Sequence, residues 1–378
     1  MKNIKLVVLY QVIMHYRAPL YQKLANDAQF DFVLYYGKGK MGTKLVNTNL
    51  SEYSFAREII KEFRLSIGKN SFAIWPLLIF KLIKLNPDVV FSEGSSSIFN
   101  STIAFVYSKL FKKKFIWWSL GQLENKEYKG FRKFINKWEL FIEKRSDAIF
   151  TYSTQGYNYF FGRGIDRDKI FIGVNVLDTN KKLEEIQKYN DTEILNKDNF
   201  FHIAFIGTIT AEKNLELVFD VINELNLEKD RFRLHIIGSG PHEATLHNYI
   251  ETQNIDKNFY IFHGRINEGA SRVLKNCHLM VLPGLGGLAI CDGMINSLPI
   301  ITGKADGTEL DLVDDDNGYV IQNLDKKILK EKVMYLYNNP IVRNSMAISS
   351  FKKITEVFTF DKYYEKFVES IFYSLKNK

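Results

Sequence analysis

Residues 283–299 read "PGLGGLAICDGMINSLP": three glycines within four positions, then an apolar run that carries a single acid, Asp292. "HLMVLPG" (278–284) leads into the stretch and "PIITG" (299–303) leads out of it, so it reads as strand, tight glycine turn, helix over 288–297 and next strand. That is one βαβ unit of a parallel sheet. The same unit recurs upstream in "FHIAFIGT" (201–208), a helix over 214–226, "FRLHIIGSGP" (232–241), a helix over 242–253, "FYIFHG" (259–264) and a helix over 267–276.

The rhythm extends to the start of the chain. "IKLVVL" (4–9), "DVVF" (88–91), "KFIWWSL" (114–120), "DAIFTYS" (147–153) and "KIFIGVN" (169–175) are apolar runs, and helices are predicted over 18–26, 71–85, 100–111 and 129–145. At 378 residues the chain exceeds one ordinary core, so two doubly wound α/β domains are expected. The predicted boundaries are 1–180 for the first domain, 181–200 for a polar, charged linker, 201–357 for the second domain and 358–378 for an amphipathic helix.

With 46% hydrophobic and 25% charged residues the composition is globular, and no uninterrupted segment is long enough to span a bilayer. The N-terminal apolar run is short and reaches His15 and Arg17 without a small-residue cleavage site, so it reads as a first buried strand. Cys277 and Cys291 are too few for a disulfide framework or a structural zinc site, which points to a reducing cytoplasm. The formal charge of +8 favours an anionic partner. Lysines and arginines interleave with aromatics in "KLFKKKF" (109–115) and in 125–145, a pattern that suits an anionic membrane surface, or a solvated helix whose aromatics face the core.

Ligands of an open parallel sheet sit beyond the carboxyl ends of its strands. Small or polar residues stand there at Gly207-Thr208, Gly238, His263-Gly264 and Gly284 to Gly287. Lys213 falls at a helix entrance, either as a surface lysine or as a holder of diphosphate. Gly286 and Gly287 would let the chain turn and offer the N–H groups of Gly287 and Leu288 to a phosphate, and Asp292 could accept from two vicinal sugar hydroxyls. Glu309 follows the turn Asp306-Gly307-Thr308 and could reach a sugar ring or complement a helix dipole. The "DDD" at 314–316 reads as a solvated turn.

"GTITAEKN", "IIGSGP", "HG", "PGLGGLAICDGMINSLPIIT" and "DGTELDLVDDDNGYVI", in that order and spacing, resemble the donor domain of retaining GT-B enzymes of glycosyltransferase family 4. "HYRAPLYQKL" resembles the acceptor-side opening of polysaccharide-building members. The resemblance implies two Rossmann-like domains facing each other across a cleft, with the last helix crossing back to the first. It implies transfer of a hexose-type unit, with retention, from a UDP- or GDP-sugar to a hydroxyl of a lipid-linked or oligosaccharide acceptor. It further implies surface polysaccharide synthesis at the inner face of the cell membrane, with no nucleic-acid partner, no further cofactor and no metal.

Residue by residue, Lys213 matches the family lysine on the diphosphate, and Thr208 stands where the family carries arginine. The family's E-x7-E pair falls on Gly284 and Asp292, which leaves Asp292 for the ribose. Glu309 matches an acid near the donor sugar in members with a "PGxGGL" loop, so Lys213 and Glu309 are the expected catalytic pair. Gly207, Thr208, Gly286, Gly287 and Leu288 would surround the diphosphate; Gly238, His263 and Gly264 would surround the base. Leu120 or a neighbour occupies the place of a family histidine, with Ser119, Gly121 and Gln122 as remaining acceptor lining; His15 and Arg17 complete that side, Arg17 on an acceptor phosphate. A sugar-nucleotide epimerase or phosphorylase on the same fold and a non-catalytic nucleotide-sugar-binding partner are the alternatives.

Overall fold

The apolar runs form two parallel sheets. The protein is described here from a computed structural model covering residues 3–39, 46–67, 70–122, 129–188, 198–229 and 231–376. Residues 125–128 of the basic segment and 189–197 of the expected linker lie outside the described residues.

The first compact unit comprises residues 1–173 together with 363–378. Its elements are β1 (Ile4–Tyr10), α1 (Ala18–Asn26), β2 (Phe30–Tyr36), β3 (Arg57–Ile59), β4 (Phe63–Ile67), β5 (Asn70–Ile74), α2 (Leu78–Leu85) and β6 (Val89–Glu93). They continue with α3 (Ile98–Leu110), β7 (Lys114–Trp118), α4 (Gly130–Arg145), β8 (Ala148–Thr151), α5 (Thr154–Gly162) and β9 (Ile170–Ile172). Seven strands pair in parallel in the order β3-β2-β1-β6-β7-β8-β9. Leu6 to Leu9 are all buried, as expected for a central strand covered on both faces.

Two expectations for this unit need correction. Residues 71–85 are not one helix, since β4 and β5 form an antiparallel hairpin and α2 begins at Leu78. Asn100 of α3 secures that arrangement, accepting the Trp75 N–H at 2.8 Å and donating to the Ala73 carbonyl at 2.9 Å. In addition, "FDFVLYY" forms β2, which the sequence reading left out.

The second unit spans residues 174–362. Its elements are α6 (Thr179–Lys188), β10 (Phe201–Ile206), α7 (Leu215–Lys229), β11 (Phe232–Ile237), α8 (Glu243–Thr252), β12 (Tyr260–Gly264), α9 (Ser271–Leu274) and β13 (Leu279–Leu282). They continue with α10 (Ala289–Ile295), β14 (Ile300–Gly303), α11 (Glu309–Leu312), β15 (Gly318–Ile321), α12 (Lys326–Asn338) and α13 (Pro340–Lys352). The sheet order β12-β11-β10-β13-β14-β15 is that of a doubly wound dinucleotide-binding fold.

The predicted linker is also corrected, because its described part begins with α6, whose charges have partners. Lys182 lies 3.0 Å from Asp292 and 3.3 Å from Glu185, and Glu185 accepts the Gly269 N–H at 2.6 Å. A helix with a poor apolar stripe is thus held by ion pairs and hydrogen bonds within its own unit.

The last helix, α14 (Phe360–Lys376), belongs from Tyr363 onward to the first unit. Phe367 is fully buried, stacked on Phe91 of β6 with ring centroids 4.0 Å apart and set edge-on to Phe150 at 5.2 Å. One apolar face of α14 therefore helps form the first core.

Candidate functional site

Strand order in the second unit reverses between β10 and β13, and the loops leaving these neighbours define the crevice where such sheets take ligands. The loop after β10 carries Gly207, the exposed Thr208 and, at the end of a short 3-10 turn, Lys213. The loop after β13 is the glycine run. Lys213 donates from its ammonium to the Leu285 carbonyl and so ties the first loop to the second.

Backbone packing reinforces that tie. A Cβ at position 284 would overlap the Glu212 carbonyl oxygen and crowd the Lys213 backbone, so the two loops can approach this closely only because residue 284 is glycine. The acid that the resemblance places at this position has no room here. Gly287 takes φ +54°, the left-handed turn expected of it, and Leu288 directly precedes α10. Gly286 is buried, close to the Ile290 and Thr302 side chains.

Asp292, one turn into α10, is committed to the ion pair with Lys182. Burial acts to lower the Lys182 pKa, but Asp292 and Glu185 outweigh it and the ammonium is held above its usual range. Sequence reading missed Lys182 because it lies in the expected linker; two acids waiting for a cation in space leave no mark on sequence spacing.

Glu309 is 1% exposed. Its oxygens accept the N–H groups of Ala305 at 2.8 Å and Gly307 at 2.9 Å. The carboxylate therefore shapes the loop after β14. This corrects the expectation of a carboxylate free to meet a sugar ring: backbone donors take both oxygens.

At the adjoining strand ends, the Gly207 N–H donates to the Ile237 carbonyl at 3.0 Å and the Gly238 N–H to the Gly264 carbonyl at 2.8 Å. His263 is the penultimate residue of β12 and lies 2.9 Å from His235 of β11. The donor-side residues named from sequence are therefore brought to one edge of this sheet.

In the first unit the order reverses between β1 and β6. Glu93, which ends β6, was missed by the sequence reading, and its signal was an acid closing the apolar run "DVVFSEG". It accepts the Gln11 N–H at 2.7 Å and the Ser96 hydroxyl at 2.8 Å. Burial raises its pKa against the pull of those two donors and of Arg17.

His15 is exposed and its ring meets Tyr16 edge-on at 5.4 Å. Ser119 is buried after β7 and its hydroxyl accepts the Gly121 N–H at 3.2 Å, with Gln122 next in the same loop. Arg17 is corrected as an acceptor-phosphate residue. It is 2% exposed, donates to the Tyr363 hydroxyl at 2.5 Å, and sits 4.8 Å from the Trp118 ring and 4.9 Å from the Tyr152 ring. Its guanidinium holds α14 within an aromatic box. Among the described residues there is no group of three or more His, Cys, Asp or Glu placed to hold a metal ion, and no helix long and apolar enough to cross a membrane.

Residues 166–353 match the family described as "Glycosyl transferases group 1". An uncharacterized glycosyltransferase of Methanocaldococcus jannaschii is 26% identical over 229 residues, covering 57% of this chain and 63% of that protein. The poly(ribitol-phosphate) alpha-N-acetylglucosaminyltransferase of Staphylococcus aureus is 23% identical over 214 residues, covering 52% of this chain and 43% of its own length. The alignments thus span less than two thirds of each relative. Anabaena HepE, solved with UDP, superposes with a TM-score of 0.75 at 12% identity, over 98% of this chain and 99% of that one. This likeness shows a shared GT-B fold. The chain thus has the GT-B fold, and its residues 166–353 match the group 1 glycosyltransferases.

Proposed function

We propose that the protein transfers a sugar, with retention and without a metal, from a UDP- or GDP-sugar to a hydroxyl of a lipid-linked or oligosaccharide acceptor during surface polysaccharide synthesis. The observation that carries this reading is the Lys213 ammonium lying across the switch point on the Leu285 carbonyl. A lysine there can leave the carbonyl for a diphosphate oxygen, a stronger acceptor. The poly(ribitol-phosphate) named for the S. aureus relative, a polymer rich in hydroxyls, supports a polymeric hydroxyl acceptor.

In the reaction the bond between the anomeric carbon and the diphosphate oxygen breaks, and negative charge gathers on the departing diphosphate. Lys213 stabilises that charge most at the transition state, which is where a fixed cation accelerates the step. The acceptor hydroxyl bonds to the anomeric carbon and its proton passes to the leaving phosphate oxygen. Glu309 keeps the loop after β14 in shape around the sugar, and Asp292 shares its charge between Lys182 and the ribose hydroxyls.

The test is nucleotide release with a panel of UDP-, GDP- and other nucleotide sugars, with product anomers read by NMR. One donor should turn over with retention, and Lys213→Ala should slow release about 100-fold. Binding without turnover, even with lipid-linked acceptors present, would favour the non-catalytic partner.

The membrane part of the reading rests on the first unit. Phe80 of α2, Leu110 of α3 and Phe134 of α4 are 65%, 71% and 67% exposed, and exposed Lys84, Lys112 and Lys133 lie within about one helical turn of them in sequence. These helices pack in one cluster, with Trp138 of α4 donating to Thr102 of α3 at 2.9 Å. Apolar side chains among lysines match an anionic bilayer surface. Co-sedimentation with anionic but not zwitterionic vesicles, lost when the three apolar residues become serine, is the expected result.

A further inference from the structure

A line of imidazoles crosses the second sheet. His202, His235 and His263 belong to β10, β11 and β12, which are neighbours in the sheet. His202 Nδ1 lies 2.8 Å from His235 Nε2, and His235 Nδ1 lies 2.9 Å from His263 Nε2. Parallel register sets Ala204 opposite His235, and where the β11–β12 register shifts at His263 the ring contacts carry the line on, with His235 5.0 Å from the His202 ring and stacked on His263 at 5.2 Å. They run diagonally from the amino end of β10 to the carboxyl end of β12. His202 and His235 are 1% and 2% exposed, whereas His263 is partly exposed.

The line starts at a carboxylate. Asp198 Oδ1 lies 2.9 Å from His202 Nε2, and its Oδ2 receives Arg233 Nη1 at 2.5 Å. Hydrogen bonds from His202 and the Phe200 N–H, with the charge of Arg233, hold the Asp198 carboxyl below its usual range although burial opposes them. Burial also keeps the three imidazoles below their usual range, so each ring is neutral near pH 7, with one N–H and one lone pair.

An ionised carboxylate only accepts, so His202 carries its proton on Nε2 and presents a lone pair at Nδ1. His235 must then donate from Nε2, which leaves its Nδ1 to accept from His263 Nε2. His263 is left with a bare lone pair on Nδ1. Each assignment forces the next.

We propose that Asp198, acting through His202 and His235 as positioning residues, fixes His263 as an acceptor that selects donor nucleobases with an in-plane ring N–H. This rests on the reading above that places the base at the carboxyl end of β12. Uracil N3 and guanine N1 carry such a hydrogen; cytosine N3 and adenine N1 present a lone pair there and would repel His263.

Two measurements on the full-length protein test it. Long-range proton–nitrogen spectra of histidine-labelled wild type at pH 7.5 should show the Nε2–H tautomer on all three residues; an Nδ1–H tautomer on any of them overturns the relay without any mutation. In Asp198→Asn, Arg233 keeps the amide oxygen and the amide NH2 turns toward His202 Nε2, so all three tautomers should invert. The preference for the better of UDP and GDP over CDP and ADP should then fall at least ten-fold. Inversion with an unchanged preference overturns the role of His263 in base selection while leaving nucleotide binding intact. Failure of wild type to bind any of the four overturns both the base readout and the donor-site reading, and the tautomer spectra reveal which part of the relay survives.

Discussion

Lys182 of α6 and Asp292 of α10 form an ion pair at 3.0 Å, so a helix in the expected linker reaches the acid placed on the ribose. Two roles for Asp292 can be separated by substituting each partner. Asp292→Ala removes both the pair and the ribose acceptor and should weaken UDP or GDP binding about ten-fold or more, the scale of a hydrogen bond to a charged group. Lys182→Met leaves the carboxylate in place; calorimetry should find nucleotide affinity within about three-fold of wild type and a lower melting temperature.

Gly284→Ala tests the seam between the two loops. A methyl group there meets the Glu212 carbonyl, so the backbones must separate and Lys213 must leave Leu285. Expected losses are about 1–3 kcal/mol of stability by urea titration, the usual scale of overpacking, and a matching fall in diphosphate affinity. Gly284→Glu should not restore a family-type acid; its activity should lie below that of Gly284→Ala.

Acid should unfold the second unit through its histidines. Burial first, then His202, His263 and Arg233, bring His235 down to about 3, with Asp198 opposing them. His278 is brought down to about 4, by burial and then by His202 and Arg343. Both folded values lie below the unfolded value of about 6.5, so below that pH the unfolded chain binds more protons. Their stabilising contribution is therefore complete above about pH 6.5 and lost as pH falls toward 4 and 3. His235 alone should account for about 3 kcal/mol between pH 6.5 and 4. His235→Asn should be less stable at pH 7 but flatter across that window in urea titrations.

Glu309→Gln keeps the side chain's shape but gives one of its two ends a donor where a backbone N–H already points. The Ala305 or Gly307 N–H then loses its acceptor, at a cost of about 1–3 kcal/mol. Activity should fall through kcat with little change in affinity for the nucleotide alone, because the loop after β14 lies beside the sugar in the proposed reaction. An equal loss of nucleotide affinity would place Glu309 in the diphosphate site instead.

Most of the second sheet was legible in the sequence, because β10, β11 and β13 are apolar runs punctuated by glycine. Lys213 and Gly284 to Gly287 could be assigned to strand ends for the same reason. The hairpin at Phe63–Ile74 was not legible, since "FAIWPLLIFKLIKL" satisfies a helical period and Asn100, which secures the hairpin, lies far along the chain. Lys182 was missed, and Glu309 and Arg17 were misread, for a common reason. A charged residue declares its type in the sequence, but its partners are fixed by the fold: two acids, two backbone N–H groups and a ring of aromatics. The imidazole line is the extreme case, since only the order β12-β11-β10 makes neighbours of His202, His235 and His263.

The seat of Phe367 bears on how the protein is made. A ribosome delivers Phe91, Phe150 and the rest of the first sheet early, then the whole second sheet, and only afterwards the helix that covers those rings. Until then the first sheet displays a bare aromatic face, a ready target for chaperones, proteases and other nascent chains. A chain interrupted before Phe367 would keep that face exposed, so the first sheet gains its full cover only after the whole second sheet has been made.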